Sequence, residues 1–451
     1  MNDKKLNISL KWYVIFGVIT AIALISMFHT PKYGANENQL NLESLNTADI
    51  AWILTSSCLV LLMTPGLSFF YGGMVGKKNI ISTMLQSFIC LGVISIIWIL
   101  FGFSLSFGDS AITITINGHE YGIIGNLMQY SFFDHVGIAP HAEIATTIPF
   151  LLFAMFQMKF AVITPAIITG SFAERVRFIS YVVFICLFTV IIYTPLCHAV
   201  WHPNGLIGGY FGVKDFAGGT VVHMSAGIAA LSGALYIGKR KEQTHNPTNI
   251  PFVLLGTGML WFGWFGFNAG SSLAADGTAI KAFATTSAAS AMAMVTWIFF
   301  DRINGRRISA LGACIGCVVG LVAITPAAGY ITISESIFFG FSTAIVSNLF
   351  MYSKLLKKFD DTLDVFACHG IGGIMGMILT AIFANEEGTS LLHGGWNIFG
   401  HHMMALTLVF IFTFGTSILL FKITDLIIPM RVREDKEKLG LDITQHNEQL
   451  L

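Results

Sequence analysis

Eleven apolar segments divide the sequence, each long enough to cross a lipid bilayer as a helix. A hydrocarbon core of about 30 Å requires about 20 consecutive apolar residues. The chain is 54% hydrophobic and only 11% charged, whereas soluble domains carry about 25% charged residues. The sequence therefore predicts an all-α polytopic membrane protein with eleven transmembrane helices. Their approximate limits are 49–72, 80–107, 142–170, 178–200, 217–238, 250–272, 280–300, 309–328, 332–353, 364–384 and 399–425.

Basic residues mark one side of the predicted membrane. Of the 25 lysines and arginines, 18 fall in alternate loops, at the end of the last segment and in the tail. The loops on the other side hold only Lys214 and Lys281. Because cytoplasmic loops are enriched in Lys and Arg, we expect a multi-pass protein of the cell (inner) membrane with a cytoplasmic C-terminus and an external mature N-terminus. The net charge of zero at pH 7 argues against a nucleic-acid partner.

The N-terminal stretch has the features of a targeting segment. Lys4, Lys5 and Lys11 precede an uncharged run from Trp12 to Phe28, which is a basic region followed by an apolar one. We favour a cleaved signal peptide over the alternative of a retained extra helix. The sequence thus divides into a signal peptide at 1–34, an extracytoplasmic segment at 35–48, a transmembrane domain at 49–425 and a cytoplasmic tail at 426–451.

Short matches between the two halves indicate an internal repeat. The third and eighth segments share Ile-Thr-Pro-Ala at 163–166 and 324–327, and the fifth and tenth each begin with an Asp followed by a His. Because each copy has an odd number of spans, five, the second copy must be inverted in the membrane. Inverted repeats place their substrate site at the repeat interface near the midplane. We therefore predict an inverted 5+5 repeat plus one extra C-terminal helix.

Two histidines are expected near the middle of the membrane. Asp215 is interpreted as the N-cap of the fifth segment, which places His223 about 12 Å along that helix; His369 follows Asp364 in the tenth. Two mirrored imidazoles could share a proton, hold a small polar molecule or pass a proton. The alternatives are two separate core histidines, each bonded to a neighbour, and a metal site. A metal site lacks a third ligand, because Cys368 is adjacent to His369 and points elsewhere.

Aromatic residues interleaved with Gly and Ser accompany the histidine segments. They occur at 261–271, at Trp201 and at 156–160. An aromatic belt at the membrane interface would explain any one of them, but an aromatic face beside a hydroxyl also fits a small cation. Cys314 and Cys317 lie in an apolar segment without other ligands nearby, so we interpret them as packing residues rather than as a metal or redox pair. No nucleophile–base arrangement is present, and an enzyme is not predicted.

Four stretches together resemble the ammonium transporter (Amt/Mep/Rh) family, on its Amt branch. The resemblance runs from about residue 48 to Asp442 with the motifs in the family's order. It implies an eleven-helix inverted repeat that assembles as a homotrimer with one pore per subunit. The four stretches are Phe-Ala-Glu-Arg-Val-Arg-Phe at 172–178, Asp215 to His223, Gly263 to Ser271 and Asp364 to Gly370.

The resemblance also implies roles for nine residues, and no cofactor or metal. An outer recruitment site is matched by Trp201, Phe160 and Ser271. A phenylalanine gate is matched by Phe160 and Phe267, with Phe156 one helical turn away, and the pore lining by His223, His369 and Trp264. Asp215 matches an acidic residue that holds the pore architecture and assists deprotonation. Two departures stand out. Lys159 occupies a place that is small or apolar in many members, and Asn447 a place where glycine is usual.

The implied function is ammonium transport. Ammonium would be recruited at the outer aromatic site and deprotonated, and ammonia would pass the twin histidines with or without a relayed proton. Two alternatives stay open: a neutral gas channel of the Rh type, and a sensor that binds ammonium with little flux. The family resemblance further implies a possible partner at the cytoplasmic face, a trimeric PII signalling protein.

Overall fold

A computed structural model describes residues 10–30, 44–242, 246–354, 358–385 and 388–450. Over this part of the chain the fold is a bundle of long apolar helices. The helices are α1 (Leu10–Phe28), α2 (Thr47–Met74), α3 (Lys77–Phe107), α4 (Phe150–Phe172), α5 (Phe178–Trp201), α6 (Gly219–Ile237), α7 (Ile250–Ser272), α8 (Gly277–Ile303), α9 (Ala310–Ile324), α10 (Ile333–Met351), α11 (Phe366–Phe383) and α12 (Trp396–Ile427).

The eleven predicted segments coincide with α2 to α12, which confirms the all-α polytopic membrane fold. Ten helices in the described ranges are long and apolar enough to cross a membrane. The eighth segment is shorter than expected, because α9 ends at Ile324 and gives way to turns. Pro326 lacks the amide that another helical turn would need. The third segment was expected from residue 142, but α4 begins only at Phe150, directly after the extended backbone of Pro149.

The apolar pattern does not indicate the β-hairpin that lies between α3 and α4. Strand β1 (Ser110–Ile116) pairs antiparallel with β2 (His119–Gly125). Asn117 and Gly118 connect them, both with positive φ, as a tight two-residue hairpin turn requires. The Gly122 amide donates to the Asn204 carbonyl at 2.7 Å, which holds the hairpin over the end of α5.

The basic loops converge on one side of the bundle, opposite the hairpin, and we call this side the basic face. Arg240, after α6, pairs with Glu174, after α4, at 2.9 Å and with Asp360, after α10, at 2.7 Å. Arg175 donates to the Thr362 hydroxyl at 2.6 Å. The sequence motif at 172–178 therefore ties three loops of this face together.

The tail after α12 folds back onto the basic face. It contains a short helix, α13 (Glu434–Leu439), and Arg431 pairs with Glu437 at 2.9 Å. The Asp442 carboxylate accepts hydrogen bonds from the Ile81 and Ser82 amides at the start of α3. Asn447 has a φ of 55°, a left-handed conformation that asparagine tolerates better than most residues, so this departure from glycine fits the backbone.

Helix α1 lies along the outside of the bundle. Its side chains are largely exposed, with Phe16 at 69% and Phe28 at 76%. Trp12 shares a cavity with Arg177 of the basic face, whereas His29 Nε2 lies 3.1 Å from Asp134 Oδ1 on the hairpin side. Helix α1 therefore extends from one face to the other. The cleavage predicted at 1–34 stays a prediction, and residues 1–9 and 31–43 lie outside the described residues.

Candidate functional site

Asp215 organises the start of α6. Its carboxylate accepts hydrogen bonds from the amides of Gly218 at 2.9 Å, Gly219 at 2.5 Å and Thr220 at 2.8 Å, and from the Thr220 hydroxyl. Gly218 has a φ of 118°, a conformation that only glycine adopts readily. The carboxylate accepts hydrogen bonds from the free amides at the start of the helix, as expected. The helix itself begins later than predicted, at Gly219. His223 is therefore four residues into the helix rather than the eight predicted.

At the start of α11 the corresponding carboxylate belongs to Asp361 and not to Asp364. Asp361 Oδ2 accepts from the Phe366 amide at 2.7 Å, while Asp364 has a left-handed backbone with φ of 55°. The sequence interpretation that paired Asp364 with His369 was therefore wrong. The sequence spacing identifies Asp361, because an aspartate precedes each histidine by eight residues. The two pairs are Asp215 with His223 and Asp361 with His369.

The two histidines meet in the interior. His369 Nδ1 lies 3.3 Å from His223 Nδ1, and the ring centroids are 5.4 Å apart. Both residues are buried, at 4% and 0% exposure. Each sits in a wide π-helical turn, Gly219–Met224 and Phe366–Ile371, a feature frequent at functional sites. A hydrogen bond between two Nδ1 atoms needs one ring to donate and the other to accept, so the pair shares one proton.

Glycines allow the two histidine helices to approach this closely. A Cβ on Gly227 of α6 would lie 2.1 Å from the Gly370 nitrogen of α11, and one on Gly373 would lie 3.0 Å from the Met224 nitrogen. Backbone therefore packs on backbone beside the histidines. Helix α6 ends near the basic face, where the Ile237 carbonyl accepts from Arg431, and α11 starts there. The two helices thus run in opposite directions, as an inverted repeat requires.

The histidine pair lines an apolar cavity, which we call the histidine cavity. Trp264 stacks on His223 with centroids 5.2 Å apart, and its indole N–H donates to Thr325 at 2.9 Å. His223 Nε2 is buried and has no hydrogen-bond partner among the described residues. A buried polar atom without a partner is costly, so it offers an attachment point for a small polar guest. The other lining residues are Met63, Leu67, Phe70, Ile163, Ile167, Leu260, Phe267 and Val318.

A second cavity, the vestibule, lies towards the hairpin side. It is lined by Phe160, Trp201 and Ser271, the three residues predicted for recruitment. Phe160 and Trp201 are edge to face at 6.0 Å, and the Trp201 indole N–H donates to the Asp215 carbonyl at 3.0 Å. Ser271 donates to the Phe267 carbonyl at 2.8 Å, which leaves its oxygen lone pairs available as acceptors.

Phe160 and Phe267 stand between the vestibule and the histidine cavity. Their centroids are 4.2 Å apart; Phe160 lines the vestibule and Phe267 the histidine cavity. Phe156 packs edge to face on Phe160 at 5.0 Å and is fully buried, so it supports the Phe160 ring from behind. The structure thus brings all nine sequence-predicted residues into one continuous arrangement.

Two polar residues of the vestibule, Gln157 and Glu143, were not predicted from the sequence. Gln157 lines the vestibule, and its Oε1 is buried without a hydrogen-bond partner in the described chain; Glu143 lines the rim and is exposed. Gln157 lies in the aromatic stretch 156–160 beside Phe160, but the direction of its side chain depends on how α4 packs and cannot be read from the sequence. Lys159 lines neither cavity; it is partly exposed and lies near Cys58 of α2.

No metal site accompanies the histidines: over the described ranges, no group of three or more His, Cys, Asp or Glu side chains is placed to hold a metal ion. Each histidine has the other as its partner, so the arrangement differs from two separate core histidines. It consists of a cation-compatible vestibule, an aromatic gate and an apolar cavity with one proton-sharing pair.

Comparisons with known proteins agree with this architecture. The model of the Ammonium Transporter Family matches residues 51–450. The ammonium transporter of Bacillus subtilis is 42% identical over 412 residues, which cover 90% of this chain and 98% of the relative. Among solved structures, Candida albicans Mep2 superposes with a TM-score of 0.81 at 30% identity, covering 90% of this chain and 92% of that one.

A second solved structure, described as a sensor Amt protein, has a TM-score of 0.80 at 30% identity and covers 88% of this chain and 98% of its own. The matched family consists of transporters rather than enzymes. The family model spans nearly all of the bundle, and the alignment with the Bacillus subtilis relative covers almost the whole of that protein. This multi-pass membrane protein therefore belongs to the ammonium transporter family.

Proposed function

We propose that the chain recruits ammonium in the vestibule, deprotonates it and conducts ammonia past the His223–His369 pair. The observation that carries this proposal is the proton-sharing histidine pair in an apolar cavity behind a closed aromatic gate. A cation at the centre of a membrane costs at least about 2.5–3.5 kcal/mol. The apolar lining therefore favours passage of the neutral molecule.

Recruitment rests on the vestibule groups. The Trp201 and Phe160 faces supply cation–π attraction, and the Ser271 oxygen can accept a hydrogen bond from ammonium. The buried Oε1 of Gln157 is a further acceptor for the same cation. The Trp201 indole is fixed by its hydrogen bond to Asp215, so its face is held towards the cavity at no further cost in side-chain freedom.

The role of Asp215 is mainly architectural in this proposal. Its carboxylate already accepts four hydrogen bonds, so it is engaged in fixing the start of α6. Its influence on deprotonation then acts through the field of a buried negative charge near the gate. The proton released from ammonium either stays on the vestibule side or is relayed through the shared proton of the histidine pair.

The wider assignments follow the same proposal. We place the basic face in the cytoplasm, following the enrichment of Lys and Arg there, and the vestibule outside, in the cell (inner) membrane. We further propose a homotrimer with one pore per subunit and a trimeric PII protein as a regulatory partner at the basic face. Three-fold symmetry on both sides would repeat one weak contact three times and raise the avidity.

The alternative functions are a sensor with little flux, which the likeness to a sensor Amt protein favours, and an Rh-like neutral gas channel. The test uses purified protein in liposomes, with ammonium uptake and ammonium-evoked current recorded on the same preparation. Saturable uptake that methylammonium inhibits supports the proposal, and the current reports whether the proton follows. Binding without uptake would replace it with the sensor, and unsaturable uptake that methylammonium leaves unchanged would replace it with the gas channel.

A further inference from the structure

A cavity on the basic face, away from the pore, has a lining that matches an amphipathic anion. It lies where α5 begins, where α12 ends and where the tail folds back, with the first turn of α1 at its side. Its polar wall includes Arg177, Arg433 and Lys436, and its apolar wall includes Phe178 and Ile428. This cavity contributes nothing to the path through the histidine pair.

Basic side chains dominate the charge of the cavity lining. No carboxylate is among its lining residues in the described chain. The Arg177 Nε–H donates a hydrogen bond to the Arg431 carbonyl at 3.0 Å. Arg433 pairs with Asp435 at 3.0 Å, but their side chains are 68% and 60% exposed, and such exposed pairs contribute little. Lys436 is exposed. Three cations therefore face one space.

The position of the cavity favours a lipid over a free anion. Helix α5 starts at Phe178 and α12 ends at Ile427, so the cavity lies at the level where membrane-spanning helices end. Beside it, Leu426 is 80% and Ile427 56% exposed. These apolar surfaces continue from the cationic wall into the membrane, which suits a headgroup with attached acyl chains.

We propose that this cavity binds an anionic phospholipid, with the phosphate against Arg177, Arg433 and Lys436 and the acyl chains along the exposed end of α12. The proposal is independent of what passes through the pore; only the choice of leaflet rests on the cytoplasmic placement of the basic face. Because two of the cations belong to the tail, and Gln445 of the tail accepts from the Phe178 amide at 2.8 Å, bound lipid would stabilise the docked tail.

The test measures binding of phosphatidylglycerol and phosphatidylcholine to the full-length protein in detergent micelles, by native mass spectrometry or a fluorescent lipid titration. The double variant Arg433→Gln/Lys436→Gln is expected to bind phosphatidylglycerol about 30-fold more weakly, since each basic residue contributes to attraction at the surface. Both side chains are exposed, so the fold should be kept. The matched control is Arg302→Gln/Arg307→Gln, which removes two exposed charges from the same face but outside the cavity.

Support for the site is preferential phosphatidylglycerol binding that the first pair of substitutions weakens and the control pair does not. Equal affinity for the two lipids, or equal losses in both double variants, would overturn it. Inorganic phosphate at millimolar concentration distinguishes the source of the anion. If phosphate displaces the lipid completely, the cavity is a site for free phosphate and the lipid proposal is wrong.

Discussion

In the proposed mechanism, Trp201 takes part in recruitment of the cation and not in conduction. Its indole contacts Phe160 in the vestibule and is not part of the histidine cavity. A cation–π contribution of about 0.5–2 kcal/mol corresponds to about 2- to 30-fold in affinity. We therefore expect Trp201→Leu to raise the apparent KM for ammonium by that factor and to weaken discrimination against methylammonium, with a smaller effect on maximal flux.

The measurement is concentration-dependent uptake by wild-type and variant protein in liposomes. Trp261→Leu is the matched control, because Trp261 lies on the same helix as Ser271 but lines neither cavity. An unchanged KM and unchanged selectivity in Trp201→Leu would place the recruitment site elsewhere.

Asp361 makes stability depend on pH. The residue is partly accessible, but its Oδ1 is buried without a hydrogen-bond partner among the described residues. Burial raises the pKa of this carboxyl from 3.8 to about 6, against the lowering effect of the Phe366 and Val365 amides and of Arg175. The folded state therefore holds the proton more tightly than the unfolded state, and this stabilisation is present below about pH 4 and lost as the pH rises through 6.

The expected loss is on the order of 2–3 kcal/mol in the free energy of unfolding between pH 4 and pH 7. Asp361→Asn keeps an acceptor for the Phe366 amide and cannot ionise, so it should remove this component. The check is unfolding of detergent-purified wild type and variant across this pH range. Identical pH profiles for the two proteins would show that the pKa of Asp361 does not change on folding.

At the scale of residues, the sequence predicts the histidine pair because an aspartate and a histidine open each of two apolar segments. Asp361 is easily missed because Asp364 also precedes His369, and only the eight-residue spacing shared with Asp215 and His223 distinguishes the two aspartates. The contact of Phe160 with Phe267 joins residues from α4 and α7. Which rings meet across two helices depends on packing. The gate was therefore predicted from the family resemblance alone.

The crossing of α6 and α11 depends on glycine. A methyl group on Gly227 would lie 2.1 Å from the Gly370 nitrogen and 2.9 Å from the His369 carbonyl carbon. Backbone atoms cannot move aside as a flexible side chain can. We expect Gly227→Ala to destabilise the protein by about 1–3 kcal/mol, the usual cost of overpacking, and to lower transport by separating the two imidazoles.

Gly415→Ala is the control, since nothing lies within 4 Å of a Cβ at that position of α12. Thermal unfolding and ammonium uptake are compared for both variants. Wild-type stability and uptake in Gly227→Ala would mean that the helices do not pack as closely as the structure has them.

Element limits were predictable wherever length and apolarity decide them. The eleven segments agree with α2 to α12 within a few residues in most cases, because a membrane span must satisfy its own backbone hydrogen bonds as a helix. The exceptions have local causes. Pro149 and Pro326 move helix ends inwards, and the β-hairpin depends on the Asn117-Gly118 turn in a loop that lies outside the predicted apolar segments.

For the whole molecule, the basic face connects the pore helices to the C-terminal tail. The tail reaches the start of α3 through Asp442 and the end of α6 through Arg431. Deletion of the residues after Pro429 should therefore lower transport and remove binding of a trimeric PII protein. Co-purification with PII, with and without nucleotide, tests this. Equal recovery of PII without the tail would exclude the tail as a docking element and leave the transport assignment standing.

The most direct measurement of the central claim is ammonium uptake by purified His223→Ala and His369→Ala in liposomes at equal protein density. His401→Ala serves as the control, because His401 lines neither cavity. We predict that uptake falls by at least about a hundredfold in each pore variant, the range in which positioned acid–base groups act, while the control retains wild-type uptake. Wild-type rates in both pore variants would contradict the assignment of the histidine pair to the transport path.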